Sequence, residues 1–272
     1  MLRTSSLLAI LLCAAALGAP AFAADDGGAD AALTQAIQGS WRDPANATRD
    51  QYRHPKQTLE FFGLKPDMTV VQLWPGTGWY TEILAPVLKD HGQLIDAPVP
   101  ARGESESDNT VRYLAKLKAD HAVYGKVKVV DFSPPAKVDL GSAGSADMVL
   151  TFRNLHNWQG RSQLDTVFAA AFKVLKHGGV FGVCEHRATK GKTVEETFES
   201  GYMPVDYVIQ EAQKAGFRLA AQSEINANPK DDHDHPKGVW TLPPTYALGD
   251  KDKAKYAAIG ESDRMTLKFV KP

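Results

Sequence analysis

Thr69-Val70-Val71-Gln72-Leu73-Trp74-Pro75-Gly76-Thr77-Gly78-Trp79-Tyr80 is the stretch on which the fold turns. Its first five residues form an apolar run of strand length, interrupted only by Gln72, and Lys65-Pro66-Asp67 breaks the chain just before it. From Tyr80 to Leu88 the apolar residues recur with helical period, and Asp90-His91-Gly92 ends that run. Between strand and helix, Gly76 and Gly78 let the backbone turn sharply and approach a ligand with no Cβ in the way. A Gly-x-Gly pair alone says little. A strand before it and a helix after it make it a candidate nucleotide-binding turn.

The same alternation continues outward. Residues 93–96 read as a second strand, 110–119 as a helix, and 127–130 as a third strand closed by Ser133-Pro134-Pro135. A fourth strand begins at Met148-Val149-Leu150. Residues 164–175 form an amphipathic helix with Gly178-Gly179 as its expected cap, and 180–184 a fifth strand. Strands and helices in this rhythm predict an α/β fold with a mostly parallel sheet. A helix over 204–215 then precedes strands at 217–225 and 265–270, expected to pair as a hairpin and form an antiparallel C-terminal edge. Upstream, 25–30 reads as a flexible start and 31–38 as a short helix. Pro44 opens a charged helical stretch holding Arg49, Asp50, Arg53 and His54. Pro55 suits the first turn of a helix whose apolar face is Leu59, Phe61, Phe62 and Leu64. Residues 24–66 are thus an N-terminal helical extension or lid, and 67–272 the α/β domain.

The chain has 272 residues, with Arg3 ahead of an apolar run over 7–17 and a small-x-small site at Ala21-Phe22-Ala23. That is the pattern of a cleavable secretory signal peptide over residues 1–23, too short for a stable membrane anchor. It predicts a periplasmic or secreted protein. Lys and Arg number 31 against 32 Asp and Glu, so no general attraction to nucleic acid or anionic membrane is implied. Beyond the leader only Cys184 remains, which rules out an internal disulfide there, and its apolar surroundings suit a buried small hydrophobe.

The loop resembles motif I of class I S-adenosylmethionine-dependent methyltransferases, usually Asp/Glu-x-Gly-x-Gly-x-Gly. Gly76 and Gly78 match the last two glycines, Trp74 stands at the first, and Gln72 at the acid. The chain also resembles the predicted bacterial methyltransferases that carry signal peptides. The shared segments are Arg49-Asp50-x-x-Arg53-x-Pro55, Pro75-Gly76-x-Gly78-Trp79-Tyr80, Leu84-Ala85-Pro86, Asn228-Pro229-x-Asp231-Asp232-His233 and Phe269-x-Lys271-Pro272. The resemblance implies a Rossmann-like class I methyltransferase fold, S-adenosyl-L-methionine as cofactor, and a small-molecule acceptor. It implies a cofactor loop of Gln72, Trp74, Gly76, Thr77, Gly78 and Tyr80. It also implies Asp96 on the ribose hydroxyls, Asp131 and Phe132 at the adenine, and Thr151 beside the transferred methyl. An ordinary turn role is the alternative for Asp96. Gln72 cannot neutralise an ammonium group, which removes a charge-assisted bond of about 1.5–3 kcal/mol and predicts weaker cofactor binding or an acid from elsewhere.

Methyl transfer depends mostly on alignment, with a base where the acceptor is protonated. His156 is the candidate base, with Arg153 and Asn154 orienting the acceptor, against the alternative that His156 only packs in a loop. Glu185-His186-Arg187 is a second polar group at the same sheet edge, and Tyr52, Arg53 and His54 form a candidate lid. Asp231-Asp232-His233-Asp234-His235 has ligand-type residues, yet consecutive residues cannot all face one ion; it reads as a solvated loop, and no metal is assigned. Two function classes stay open, a methyltransferase and a non-catalytic binding protein on the same fold. A dinucleotide oxidoreductase fits less well, because Thr81 stands where its third glycine belongs.

Overall fold

A computed structural model describes residues 26–101 and 108–272. The expected leader, residues 1–23, and the middle of the polar stretch after the second strand lie outside them. Seven strands form one sheet: β1 Thr69–Leu73, β2 Gln93–Ala97, β3 Lys128–Val129, β4 Ala146–Phe152, β5 Leu175–His186, β6 Arg218–Ser223 and β7 Arg264–Val270. Their spatial order is β3-β2-β1-β4-β5-β7-β6. The first five strands are mutually parallel, and β7 runs antiparallel between β5 and β6.

Side chains alternate across the sheet with period two. Val71, Leu73, Val149, Phe181 and Val183 enter one core. Val70, Met148, Leu150 and Cys184 enter the other. Helices α1 Asp26–Ile37, α2 Pro44–Ala47, α3 Asp50–Arg53 and α4 Pro55–Phe62 precede the sheet, and α5 Thr81–Leu88 follows β1. Next come α6 Asn109–Ala119, α7 His121–Tyr124, α8 Leu155–Gln159, α9 Leu164–Val174, α10 Val194–Thr197, α11 Val205–Lys214 and α12 Lys253–Ile259. Leu33 of α1 and Leu59 and Phe62 of α4 share the second core with β1 and α5, so residues 26–66 are packed onto the sheet. Among the described residues no helix is long and apolar enough to cross a membrane.

Three local expectations are corrected. The stretch expected to be a flexible start is helical from Asp26 onward. Gly178 and Gly179 do not cap α9; they lie in β5, where Gly178 N donates to Lys271 O at 2.8 Å and Lys271 N to Gly179 O at 3.0 Å. The last two strands do pair, but no tight turn joins them. Residues 224–263 form a long crossing between β6 and β7. The sheet reverses its order of growth between β1 and β4, which pair as Gln72 with Leu150 and Leu73 with Thr151. The loops after these strands therefore emerge side by side, at the place where open α/β sheets hold ligands.

Candidate functional site

The glycine loop leaves β1 through three left-handed residues, Trp74 at φ 45°, Gly76 at φ 64° and Gly78 at φ 87°. At Gly78 a Cβ would meet the Tyr113 ring at 3.1 Å, so glycine is required by packing as well as by backbone. At Gly76 a Cβ would meet nothing within 4 Å, which leaves the backbone open to a cleft. Trp74 holds the same backbone region without glycine's freedom, at a cost of order 1–3 kcal/mol. Its indole packs on Trp158 at 4.9 Å between ring centroids, and the Arg161 guanidinium lies 5.5 Å from the Trp74 ring.

Beneath the loop the polar groups have found one another. Thr81 Oγ1 lies 3.0 Å from Gln72 Oε1 and 2.9 Å from Asp96 Oδ2, and the Tyr113 hydroxyl donates to the same Asp96 oxygen through a short bond. Thr81 has one proton for two acceptors. The remaining contact is filled when Asp96 itself is protonated, and burial does push its carboxyl up, to about 7, against the two hydroxyls. Asp96 is wholly buried one residue before the end of β2, and its other oxygen, Oδ1, has no hydrogen-bond partner. Glu82 is no substitute for the missing acid at position 72, since its carboxylate is taken by Asn46 and Lys116.

Two cavities lie on either side of Trp74. One of about 280 Å³ is walled by Gln72, Tyr80, Arg53, Arg153, Asn154 and His156. The other, of about 420 Å³, is walled by Val99, Asp108, Asn109, Thr110 and Arg161. Trp74, Gly76, Asn154 and Asn157 border both. Thr77, Gly78, Asp131, Phe132 and Thr151 line neither. Phe132 is fully buried in the core. The Asp131 carboxylate is exposed and paired with Lys137, and Thr151 is buried under the Asn154 amide, which donates to it at 3.1 Å.

In the first cavity, Glu185 orders the candidate base. Its Oε2 accepts from Leu155 N at 2.5 Å, and its Oε1 from His186 N at 2.8 Å and His156 Nδ1 at 3.1 Å. A carboxylate only accepts, so His156 carries its proton on Nδ1, and Nε2 is the basic atom, 2.9 Å from the Asn157 amide. His186 touches Ser262 Oγ at 2.5 Å through Nδ1. Burial above all, with the Arg153 guanidinium adding to it, pushes it well below its ordinary pKa and keeps it neutral. His156, Glu185 and His186 bring ligand-type atoms within 4.8 Å of one another, but both Glu185 oxygens already hold N–H donors.

Arg53 of the expected lid does reach this cavity, where its guanidinium lies 4.7 Å from the Trp79 ring. The opposite wall was not foreseen: Val239, Trp240, Pro243, Pro244, Glu261 and Ser262 all come from the crossing at residues 224–263. Asp231 pins that crossing. Its carboxylate accepts from Tyr202 OH at 2.9 Å, His233 N at 2.9 Å, His235 Nε2 at 2.8 Å and Asp263 N at 2.7 Å. The tract expected to be a solvated loop is therefore a buried anchor at Asp231, which is only 3% exposed. The one sequence signal for the wall was the polar tetrad Glu261-Ser262-Asp263-Arg264 running directly into an apolar strand.

No protein-family model matches the chain, and no curated protein sequence does. Among solved structures, a SAM-dependent methyltransferase from Aquifex aeolicus superposes with a TM-score of 0.56 at 15% identity, over 85% of this chain and 94% of that one. The cyclase SpnF gives 0.56 at 17% identity, over 87% and 85%. Geranyl diphosphate C-methyltransferase from Streptomyces coelicolor A3(2), solved with Mg2+, geranyl diphosphate and S-adenosyl-L-homocysteine, gives 0.54 at 10%, over 87% of each chain. The fold is the Rossmann-like class I methyltransferase fold.

Proposed function

We propose that this protein transfers a methyl group from S-adenosyl-L-methionine to a small-molecule acceptor, outside the cytoplasm as its leader suggests. The observation that carries this reading is the glycine loop at the β1/β4 reversal, with Gly76 open toward both cavities. The residues present fit such a group: an elongated nucleoside–amino acid molecule needs bare backbone at its middle and room at both ends. Val99, Asp108 and Asn109 would hold the nucleoside end, and Gln72, Tyr80 and Asn154 the amino-acid end. When bound, the sulfonium supplies an electrophilic methyl carbon. His156 Nε2, with Glu185 fixing the ring through Nδ1, takes the proton of the acceptor's O–H or N–H group. Asn154 Nδ2 is anchored at Leu73 O, 3.1 Å away, which holds the β4 loop against the glycine loop.

Trp74 and the buried network that holds Asp96 Oδ2 favour a second reading, a binding protein that keeps the fold without the reaction. The likeness to a cyclase illustrates that this fold does not dictate one chemistry. Isothermal titration with S-adenosylmethionine and S-adenosylhomocysteine separates the two. Methyl transfer requires micromolar or tighter heat-detected binding of both, and its absence with each would end the first reading.

A further inference from the structure

Four arginines converge above the first cavity, brought from three distant parts of the chain. Arg49 Nε donates to Glu261 Oε1 at 2.6 Å, Arg53 Nε to Glu261 Oε2 at 3.0 Å, and Arg264 Nη2 to the same Oε2 at 2.7 Å. Three guanidiniums thus share one carboxylate. The fourth, Arg153, pairs with no carboxylate among the described residues, and it faces the cavity from a left-handed backbone at φ 63°. A non-glycine residue held there is strained, and such strain gathers at ligand clamps.

Two donors remain unspent as well. Arg53 is 2% exposed, lines the cavity, and has a buried Nη2 with no partner. Arg49 Nη2 is likewise buried and unpartnered. Arg53 and Arg49 already share Glu261, whereas the part-buried Arg153 has no carboxylate partner, a disfavoured state that a ligand carboxylate or phosphate, matching the guanidinium fork in charge and shape, would relieve. The wall beside them has an apolar side, formed by Trp79, Tyr80, Phe152 and Trp240 with Pro243 and Pro244, and a polar side that includes Asn154 and His156.

We propose that the acceptor is an anion, a small molecule bearing a carboxylate or phosphate on an apolar ring or chain, with Arg153 and Arg53 binding its charged group. This rests on the methyl-transfer reading only in calling the ligand an acceptor. The cofactor's own carboxylate has the same chemistry, so the test must separate the two sources.

Benzoate and phenyl phosphate, with benzyl alcohol as neutral counterpart, are titrated calorimetrically into the mature protein, alone and saturated with S-adenosylhomocysteine. The expected result is binding of at least one anion tenfold or more tighter than benzyl alcohol, changed less than about threefold by S-adenosylhomocysteine. Arg153→Asn, which tolerates the left-handed backbone, should weaken the anion at least tenfold, and Arg153→Lys should restore part of it. The thermal melt of each variant reports whether it is folded. If the Asn variant does not fold, Arg53→Lys carries the same requirement of at least tenfold weaker binding.

Equal binding of the neutral compound, no binding of either anion, or binding unchanged in the variant overturns the proposal. So does loss of anion binding under saturating S-adenosylhomocysteine, which would assign the arginines to the cofactor's carboxylate. If S-adenosylhomocysteine gives no heat while the anion still binds and needs Arg153, the anion site stands and the methyl-transfer reading falls.

Discussion

Two buried carboxylates a short way apart meet opposite fates. Asp96, under the glycine loop, faces two hydroxyls; burial wins, and its carboxyl moves up to about 7. Burial also pushes the Glu261 carboxyl up, but Arg264, Arg53, Arg153 and Arg49 together outweigh that and hold it well below the usual range. The difference teaches how to tell a structural network from a binding one. Under the loop, each proton on Thr81, Tyr113 and a neutral Asp96 has an acceptor. Above the cavity, guanidinium donors outnumber the oxygens that receive them, and two of the four arginines, Arg53 and Arg153, line it.

The largest expected effect breaks the arginine side. Glu261→Gln removes the one anion that two buried arginines and a partly exposed third share, and should lower stability by about 3–5 kcal/mol in urea unfolding. Because the folded Glu261 pKa is depressed, its contribution is present above the ordinary value of 4.5 and lost as pH falls below it. The variant should therefore show a flatter acid limb than the parent. Equal acid limbs would mean that the arginines do not depend on Glu261.

Asp96→Asn probes the other side with the opposite sign. A raised folded pKa means stability is present below 3.8 and lost as pH rises toward 7. Asn mimics the protonated acid, so the variant should match the parent at pH 3.5 and exceed it at pH 8 by at most about 4 kcal/mol. A variant less stable than the parent at pH 8 would show that the carboxylate form is the one the network prefers.

Trp74→Gly tests whether the indole divides one cleft in two. With glycine the left-handed backbone relaxes and the cavities join. S-adenosylhomocysteine should then bind about tenfold more tightly, roughly 1.4 kcal/mol, by calorimetry. Weaker binding would make the indole part of the ligand's wall. The smallest effect belongs to Asp131→Asn: an exposed pair with Lys137 is worth less than about 1 kcal/mol, and calorimetric affinity for S-adenosylhomocysteine should stay the same. A tenfold loss would return Asp131 to the nucleoside site.

The strand, the loop and the following helix were legible in residues 69–88 because each is written in local period and in glycine spacing. Gln72, Trp74, Gly76, Tyr80, Arg153, Asn154 and His156 line the first cavity. The burial of Asp96 was not legible, because position near a strand end does not say which way a side chain points, and a one-residue shift moves it to the other face. Asp96 lies one residue short of the end of β2.

By itself the sequence determined an α/β chain with a nucleotide-type turn after its first strand, since hydrophobic period and glycine placement act over a few residues. Only the tertiary structure decided which polar groups are spent and which are free. Arg49 and Glu261 are 212 positions apart, and no local pattern reports that they touch. The segments around Arg49 and Asn228 make the same point. Arg49, Arg53, Asn228 and Asp231 are scattered in sequence, yet all converge on residues 259–264: the two arginines bond Glu261, Asn228 Nδ2 donates to Ile259 O and Glu261 O, and Asp231 takes Asp263 N. Charge balance in a buried site is a property of the assembled neighbourhood, because burial and the sum of nearby charges set it together.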